Sequence, residues 1–325
     1  VHKEKTMKKT AIIVGALSMF LFAAGVALAA DNIKILIPAN PGGGWDQTGR
    51  ALAAAMQSAG VIKTAKLDNR GGAGGTIGIT QFVNSSKGDP EALMIGGLVM
   101  VGAIELAKSP VGLGQVTPIA RLTAEYEAIV VPANSRFKTL KELLDAFKAN
   151  PGSISWGGGS AGGVDHILVG LIAKELKADA AKINYIPYAG GGEAMAAILG
   201  GHVTAGVAGY GEFQAQVKEG KLRALAVSSP KRISVAPDVP TLKEQGVNIE
   251  LFNWRGVFGA PGITAAQRAA LTKQVTDTVK SPAWQETLKR NDWSDVLLTG
   301  DAFKTYIDEE VKRTAQVLKD VGLVK

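Results

Sequence analysis

The feature that most constrains this chain is a local pattern that recurs four times: a short β-type run, a cluster of glycines, then an amphipathic helical run. Residues 32–38 (NIKILIP) read as a buried strand, Gly42-Gly43-Gly44 follows, and a helix is expected over 46–58. Residues 66–70 lead into Gly71-Gly72-Ala73-Gly74-Gly75 and a helix over 76–83. Residues 153–156 lead into GGGSAGG at 157–163 and a helix over 164–176. Residues 182–188 lead into Gly190-Gly191-Gly192 and a helix over 193–199, stopped by Gly200-Gly201. Further strands are expected at 91–95, 203–208 and 222–228. Further helices are expected at 138–148, at 212–219, from the capping box Thr264-Ala265-Ala266-Gln267 to about 280, from Pro282, and over 301–321. Such alternation predicts βαβ units and parallel sheet.

Two extended segments, 127–132 (EAIVVP) and 250–261 (ELFNWRGVFGAP), bracket the middle block. The expected architecture is therefore α/β with two lobes, the chain crossing between them at both segments, and a cleft between the lobes. The first lobe is expected to be discontinuous, residues 30–130 plus 256–325, with 131–255 forming the second. No short-period repeat of the solenoid kind is visible.

In open α/β sheets, ligands sit beyond the carboxyl ends of strands. The helix N-termini there expose unpaired N–H groups and carry partial positive charge. Glycine lets those amides approach a guest with no side chain between, and the combination suits anionic oxygens. Two such loops from each lobe predict a cleft gripped from both sides. Ordinary strand–helix turns are the alternative, and four clusters at equivalent places weigh against it.

Composition narrows the function classes. With 46% apolar and 20% charged residues, a disordered chain is excluded. The lack of cysteine excludes a disulfide scaffold and Cys-ligated zinc or iron–sulfur sites. Only three histidines are present, one of them His2, so a His-rich metal site is not expected, and no cofactor is indicated. Lys8 and Lys9, the apolar run 11–28 and Ala27-Leu28-Ala29 form the pattern of a secretory signal peptide over 1–29. The run is long enough for a membrane anchor, but its alanine-rich end and the polar start at Asp31-Asn32 favour cleavage near Ala29. Cleavage takes away Lys3, Lys5, Lys8, Lys9 and Glu4, and the net charge falls from +7 to +4. The remaining basic residues are scattered, so no nucleic-acid partner is expected. The expected location is the periplasm.

Single residues carry rival readings. Gly157-x-Gly159-x-x-Gly162 satisfies a dinucleotide fingerprint, but no acid for a ribose ends the next strand at Tyr188. Gly158-x-Ser160-x-Gly162 satisfies a nucleophile elbow, yet the only histidine beyond His166 is His202, which leaves little chain for a hydrolase arrangement. Ser160 fits better as a hydroxyl donor to a ligand oxygen. His166 fits either a bond to Ser160 or a ligand, or a satisfied interior position. Trp45 fits a cleft wall or core packing. Asp46 and Glu193 sit at helix starts and suit capping. Arg70, Arg121 and Arg255 could counter an acid, with structural roles as the alternative.

The segments ILIPANPGGGWDQTGRAL, NRGGAGGTIG, WGGGSAGGVDH, IPYAGGGEAMAAILGGHV, PDVPTLKEQG and NWRGVFGAPG occur in this order. With the leader, this set resembles the extracytoplasmic solute receptors of tripartite tricarboxylate transporters, over residues 31–325. The resemblance implies a periplasmic-binding-protein "Venus flytrap" fold. It also implies no catalysis, a small carboxylate such as citrate or another organic acid in the interlobe cleft, and delivery to a two-component integral membrane permease. The implied carboxylate loops are Pro41, Gly43, Gly44, Trp45 and Asp46 on one side. On the other are Gly159, Ser160, Ala161, Gly162 and His166. Gly74, Gly75, Thr76, Gly191 and Gly192 would line the rest. Thr204, where many members carry an acid, and Trp45, where many carry a small hydroxyl residue, depart from the common pattern. An exported hydrolase using Ser160 and a sensory receptor for the same ligands are the competing functions.

Overall fold

The computed structural model describes residues 31–324, so the expected leader lies outside the described residues. The first stretch runs β1 (Asn32–Ile37), α1 (Gly44–Ser58), β2 (Thr64–Asn69), α2 (Thr76–Ser85), β3 (Ala92–Gly97) and α3 (Leu98–Ala107). A long strand, β4 (Thr117–Pro132), leads into α4 (Leu140–Ala149), β5 (Ser155–Gly158), α5 (Val164–Glu175), β6 (Asn184–Pro187), α6 (Gly191–Leu199), β7 (Ala205–Gly209), α7 (Tyr210–Lys218) and β8 (Leu222–Val227). The chain returns through β9 (Phe252–Gly259), α8 (Ala265–Val279), α9 (Pro282–Asn291), β10 (Ser294–Thr299) and α10 (Gly300–Asp320).

The strands form one continuous ten-stranded sheet in the order β2-β1-β3-β9-β4-β7-β5-β6, with β8 and β10 also paired to β4. β1 runs parallel to β2 and β3, and β5 parallel to β6 and β7, as the strand–glycine–helix units predict. The returning strand β9 is antiparallel to both β3 and β4, so the sheet is mixed rather than purely parallel.

β4 joins the two lobes because it changes partners midway. Up to Tyr126, opposite Phe252, it pairs with β9; from Glu127, opposite Gly209, it pairs with β7 and β8. The second crossing is fastened beside the first. The buried Ser228 hydroxyl accepts from the Glu127 amide at 2.9 Å and donates to the Leu251 carbonyl at 2.9 Å. One side chain thus ties both connections.

Local chemistry accounts for the element ends. α4, α8 and α9 start at Thr139, Thr264 and Ser281, whose hydroxyls accept from first-turn amides. The Thr264 box with Gln267 forms as expected. Two elements lie where no element was expected. α3 is apolar on nearly all faces and shows no helical stripe to read, because it is packed between α10 and neighbouring helices. β10 is a half-exposed strand whose pairing with the early part of β4 is broken by a register shift.

β3 and β9 approach closely at Gly97, which faces Arg255 in register. A Cβ on Gly97 would run into the Trp254 carbonyl and crowd the Arg255 Cα at 3.2 Å. Both are backbone atoms of the partner strand and cannot rotate away. Gly97→Ala is therefore expected to lower unfolding stability by about 1–3 kcal/mol. Urea denaturation checks this, and a loss below about 0.5 kcal/mol, the scale of a neutral surface change, contradicts the packing.

Candidate functional site

The carboxyl ends of β1, β5 and β6 point their loops at one another. The loop after β1 meets the loop after β6 directly. Asn40 and Gly190 form a parallel bridge, the Asn40 amide donates to the Ala189 carbonyl at 3.1 Å, and the Gly192 amide donates to the Pro41 carbonyl at 3.3 Å. This contact requires glycine. A Cβ on Gly191 would lie 2.5 Å from the Gly43 Cα, and one on Gly43 would lie 2.8 Å from the Gly191 nitrogen. The cleft is thus closed along this face by backbone against backbone.

Behind the contact is a cavity of about 290 Å³. Gly43, Gly44, Trp45, Gly159, Ser160, Gly191 and Gly192 line it, so three of the four glycine loops implied by sequence supply its wall or rim. The others stand behind that wall. Pro41 touches the opposite loop through its carbonyl. Asp46 turns back into its own loop, accepting from the Gly42 amide at 3.0 Å, from Arg50 and from Asn69. Burial works against its charge, but those hydrogen bonds prevail and hold the carboxyl below its ordinary value. Gly74 packs on Ala103 and Ser160, Gly75 packs on the Trp45 ring, and Thr76 donates to the Ala73 carbonyl. Gly162 packs on α3, at Gly102 and Leu106, with Ala161 beside it in the loop.

His166 is held away from the cavity. Its ring stacks on Tyr185 with centroids 4.2 Å apart, and Nδ1 accepts from the Gly162 amide at 3.2 Å. Burial lowers its pKa to about 4, so it is neutral with its proton on Nε2. Among the described residues no hydrogen bond links Ser160 to His166 or to His202.

The helices around the cavity start without side-chain caps. Gly43 precedes α1, Gly163 precedes α5, Gly190 precedes α6 and Gly209 precedes α7, and none has a side chain to cap with. Thr139, Thr264 and Ser281 cap helices elsewhere through their hydroxyls, whereas around the cavity the Gly44 amide is taken by Glu212 and the Gly192 amide by the Pro41 carbonyl.

Below the loops lies a group of charges that sequence reasoning mostly missed. Arg255 of β9 is the only cation among the lining residues; Asp165, Glu212 and Asn253 line the cavity with it. Arg255 is paired with the buried Glu125 of β4, and its Nη2 is 3.7 Å from Glu212 Oε1. Glu125 also accepts from the Trp293 indole at 2.9 Å. Glu212 accepts from the Gly44 amide; burial, together with the Asp165 charge, raises its pKa to about 8. Glu127 is fully buried near Asp165, and burial, followed by that neighbouring charge, pushes it well above its ordinary value. Asp165 in turn accepts from the Gly159 amide at 2.5 Å, which holds the third glycine loop in place. Burial lowers the pKa of Arg255 to about 9. The legible signal for these residues was charge inside otherwise apolar strand runs, YEAIVV and FNWRGVF. Among the described residues no group of three His, Asp or Glu side chains is disposed to hold a metal ion, and no helix is long and apolar enough to cross a membrane.

Comparison with known proteins agrees on one group. The profile of the family described as "Tripartite tricarboxylate transporter family receptor" matches residues 50–323. Protein BugT of Bordetella pertussis is 28% identical over 322 residues, covering 95% of this chain and 97% of that protein. The solved structure of the periplasmic binding protein BugD superposes with a TM-score of 0.82 at 26% identity, covering 90% of this chain and 98% of that one. MatC of Rhodopseudomonas palustris, solved with bound malate, superposes with a TM-score of 0.77 at 23% identity, covering 88% and 98%. The two-lobed α/β fold is therefore that of the periplasmic binding proteins.

Two predictions come from this geometry. Gly191→Ala is expected to prop the loops apart while leaving the fold intact, raising the radius of gyration in small-angle scattering. An unchanged radius with unchanged melting contradicts the closure contact. The second concerns pH. Folded Glu212 holds its proton to about pH 8, whereas an unfolded glutamate releases it near its ordinary value of about 4.5. Between those values the folded form binds more protons, so stability falls as pH rises. His166 acts oppositely, but only between about pH 4 and its ordinary value of 6.5. From pH 6.5 to 8 the ligand-free protein should lose stability, by at most about 1.4 kcal/mol per pH unit for one group. Glu212→Gln should flatten that slope in urea titrations; an unaltered slope contradicts the assignment.

Proposed function

The chain belongs to the tripartite tricarboxylate transporter family of receptors, and we propose from that membership that it is a periplasmic receptor for a small organic acid, without chemistry of its own. The observation that carries the reading is the set of helix starts, at Gly43, Gly163 and Gly190, around a cavity lined by Arg255. Helix N-termini, with their partial positive charge, and one guanidinium suit a carboxylate. Malate bound to MatC, a protein of the same fold, is in keeping with that class of guest.

In this reading the acid docks on one lobe and the second lobe closes over it. We assign 31–126 with 252–324 to one lobe and 127–251 to the other, on the support of the strand partners. The hinge is then the pair of crossings joined by Ser228. Closure driven by a ligand requires tighter binding to the closed form. The contact of Gly43 with Gly191, with its Pro41–Gly192 bond, supplies a closed form whose stability the guest can raise. Four to eight amide or hydroxyl contacts at about 1 kcal/mol each can reach the roughly 8 kcal/mol of micromolar binding. The closed receptor then presents both lobes to a two-component membrane permease. The leader, 1–29, is cleaved on export, and the carboxylate loops are those described above.

The test is a thermal-shift screen of purified 30–325 against citrate, other di- and tricarboxylates, aromatic acids and amino acids. At least one acid is expected to raise the midpoint. Uncharged solutes raising it while every acid fails would contradict the reading.

A further inference from the structure

Glu212 stands on α7 in the second lobe, yet the first lobe covers it. Its carboxyl accepts from the Gly44 amide and lies 3.7 Å from Arg255 Nη2, and both partners belong to the first lobe. The loop before α1 fits over it only because it is glycine. A Cβ on Gly43 would lie 3.5 Å from Glu212 Oε2, and one on Gly44 would lie 2.9 Å from Oε1. From its own lobe Gly191 leans on the same carboxyl, where a Cβ would lie 2.6 Å from Oε2. The side chain is 13% exposed as a result. Parting the lobes removes the Gly44 amide, the guanidinium and the loop that keeps water out.

The neighbouring charges are placed differently. Glu125 of β4 and Arg255 of β9 stand together in the first lobe and hold each other. Glu127 of β4 and Asp165 of α5 stand together in the second, with Asp165 tied to the Gly159 amide. On α1, Asp46 is turned to Arg50 and Asn69. On α6, Glu193 meets Asn40 across the lobe boundary but stays exposed. Where α9 ends against Gly211, Asp292 is held by Ser234. Tyr188, from the loop after β6, lines the same cavity. Among these groups Glu212 is the acid that the opposite lobe itself buries. Arg255 does not neutralise it, being paired with Glu125 and beyond hydrogen-bond reach of Glu212. A buried carboxyl without a cation of its own favours the neutral form.

We propose that Glu212 is a proton-binding site completed by lobe closure, so that the receptor takes up one proton from solvent as it closes and an anionic guest is enclosed together with it. The inference rests on the two-lobed receptor reading above and adds a second, ionic ligand to it. With the proton in place, Glu212 presents no charge against the guest, and Arg255 and the helix starts act on the anion unopposed by it.

The sign of the pH effect is fixed by the two environments. Closed over, Glu212 keeps its proton to about pH 8, through burial first and the Asp165 charge second. With the lobes apart it faces water, where a glutamate ionises near its ordinary value of 4.5. Below that value both forms hold the proton, and closure has its full advantage. Between the two values closing takes up to one proton. The closed-to-open ratio therefore falls as pH rises, by at most about tenfold per pH unit, and the fall ends above about pH 8.

Small-angle scattering of the purified, guest-free chain from about pH 6 to about pH 8.5 tests this without any organic ligand. The range stops short of the value of about 9 at which Arg255 would titrate. The wild-type radius of gyration is expected to grow across the range as the open form gains. Glu212→Gln, which keeps an oxygen for the Gly44 amide and cannot ionise, is expected to hold the closed radius at every pH. Glu212→Met, uncharged and of similar length, is expected to show the same flat profile, and it serves if the glutamine variant does not fold. A wild-type radius that does not move with pH overturns the inference. A pH-dependent radius that persists in the uncharged variant also overturns it, because another group then holds the proton. Either result leaves the carboxylate receptor standing if an acid raises the melting midpoint. Opening with pH in a chain that no acid stabilises would keep the proton site and sink the receptor reading instead.

Discussion

The buried pair between Arg255 and Glu125 is the constraint around which the site is arranged. Both side chains are almost wholly inaccessible, on adjacent strands β9 and β4 that run antiparallel where the sheet passes from one lobe to the other. Burying two charges is costly unless the remaining valences are filled. Here the Trp293 indole fills one on Glu125, and the same ring lies beneath the guanidinium, its centroid 5.5 Å away. The pair also dictates glycine around it. A Cβ on Gly44 would collide with the guanidinium and one on Gly209 with the Glu125 carboxylate. The glycines that open α1 and α7 are therefore bare because a side chain would strike the ion pair.

From that centre the charge pattern spreads across the lobe boundary. Glu212 stands on α7 of the second lobe yet takes a hydrogen bond from Gly44 of the first. Asn40 reaches Glu193 at 2.5 Å from the opposite side. Both interactions join loops and helices on opposite sides of the cavity. Glu127 and Asp165 lie behind them, and Asp165 fixes the Gly159 loop by accepting from its amide. Polar contacts thus run from Ser228, through Glu127 and Asn253, toward the loops that line the cavity.

Much of this was legible in the sequence because its signals are local. A β-type run, a glycine cluster and an amphipathic helix are each recognisable within a dozen residues, and all four units form. The extended segments at 127–132 and 250–261 were legible too, and both lie in strands that pair across β4. What the sequence hid is what depends on distant partners. β4 starts ten residues before its readable segment, because TPIARLTAEY is polar enough to pass for loop until β9 and β10 cover it. α3 has no apolar stripe because every face is covered. Glu125, Glu212 and Arg255 come from β4, α7 and β9, and only the folded sheet brings them together. Arg255 alone was visible as a counter-ion candidate, through its place inside an apolar strand. His166 looked like a ligand group from its spacing; its partners, Tyr185 and Gly162, place it behind the loop instead.

The central claim is that two lobes, joined at Ser228, close glycine loop on glycine loop around an acid. The chain contains no cysteine, so single labels can be introduced cleanly. Spin labels at Arg70→Cys and Ala196→Cys, both at exposed positions flanking opposing loops, report the interlobe distance by electron–electron double resonance. The account predicts a broader or longer distribution without guest that collapses to one short distance when a binding acid is added. A distribution that the acid leaves unchanged at saturation would contradict it.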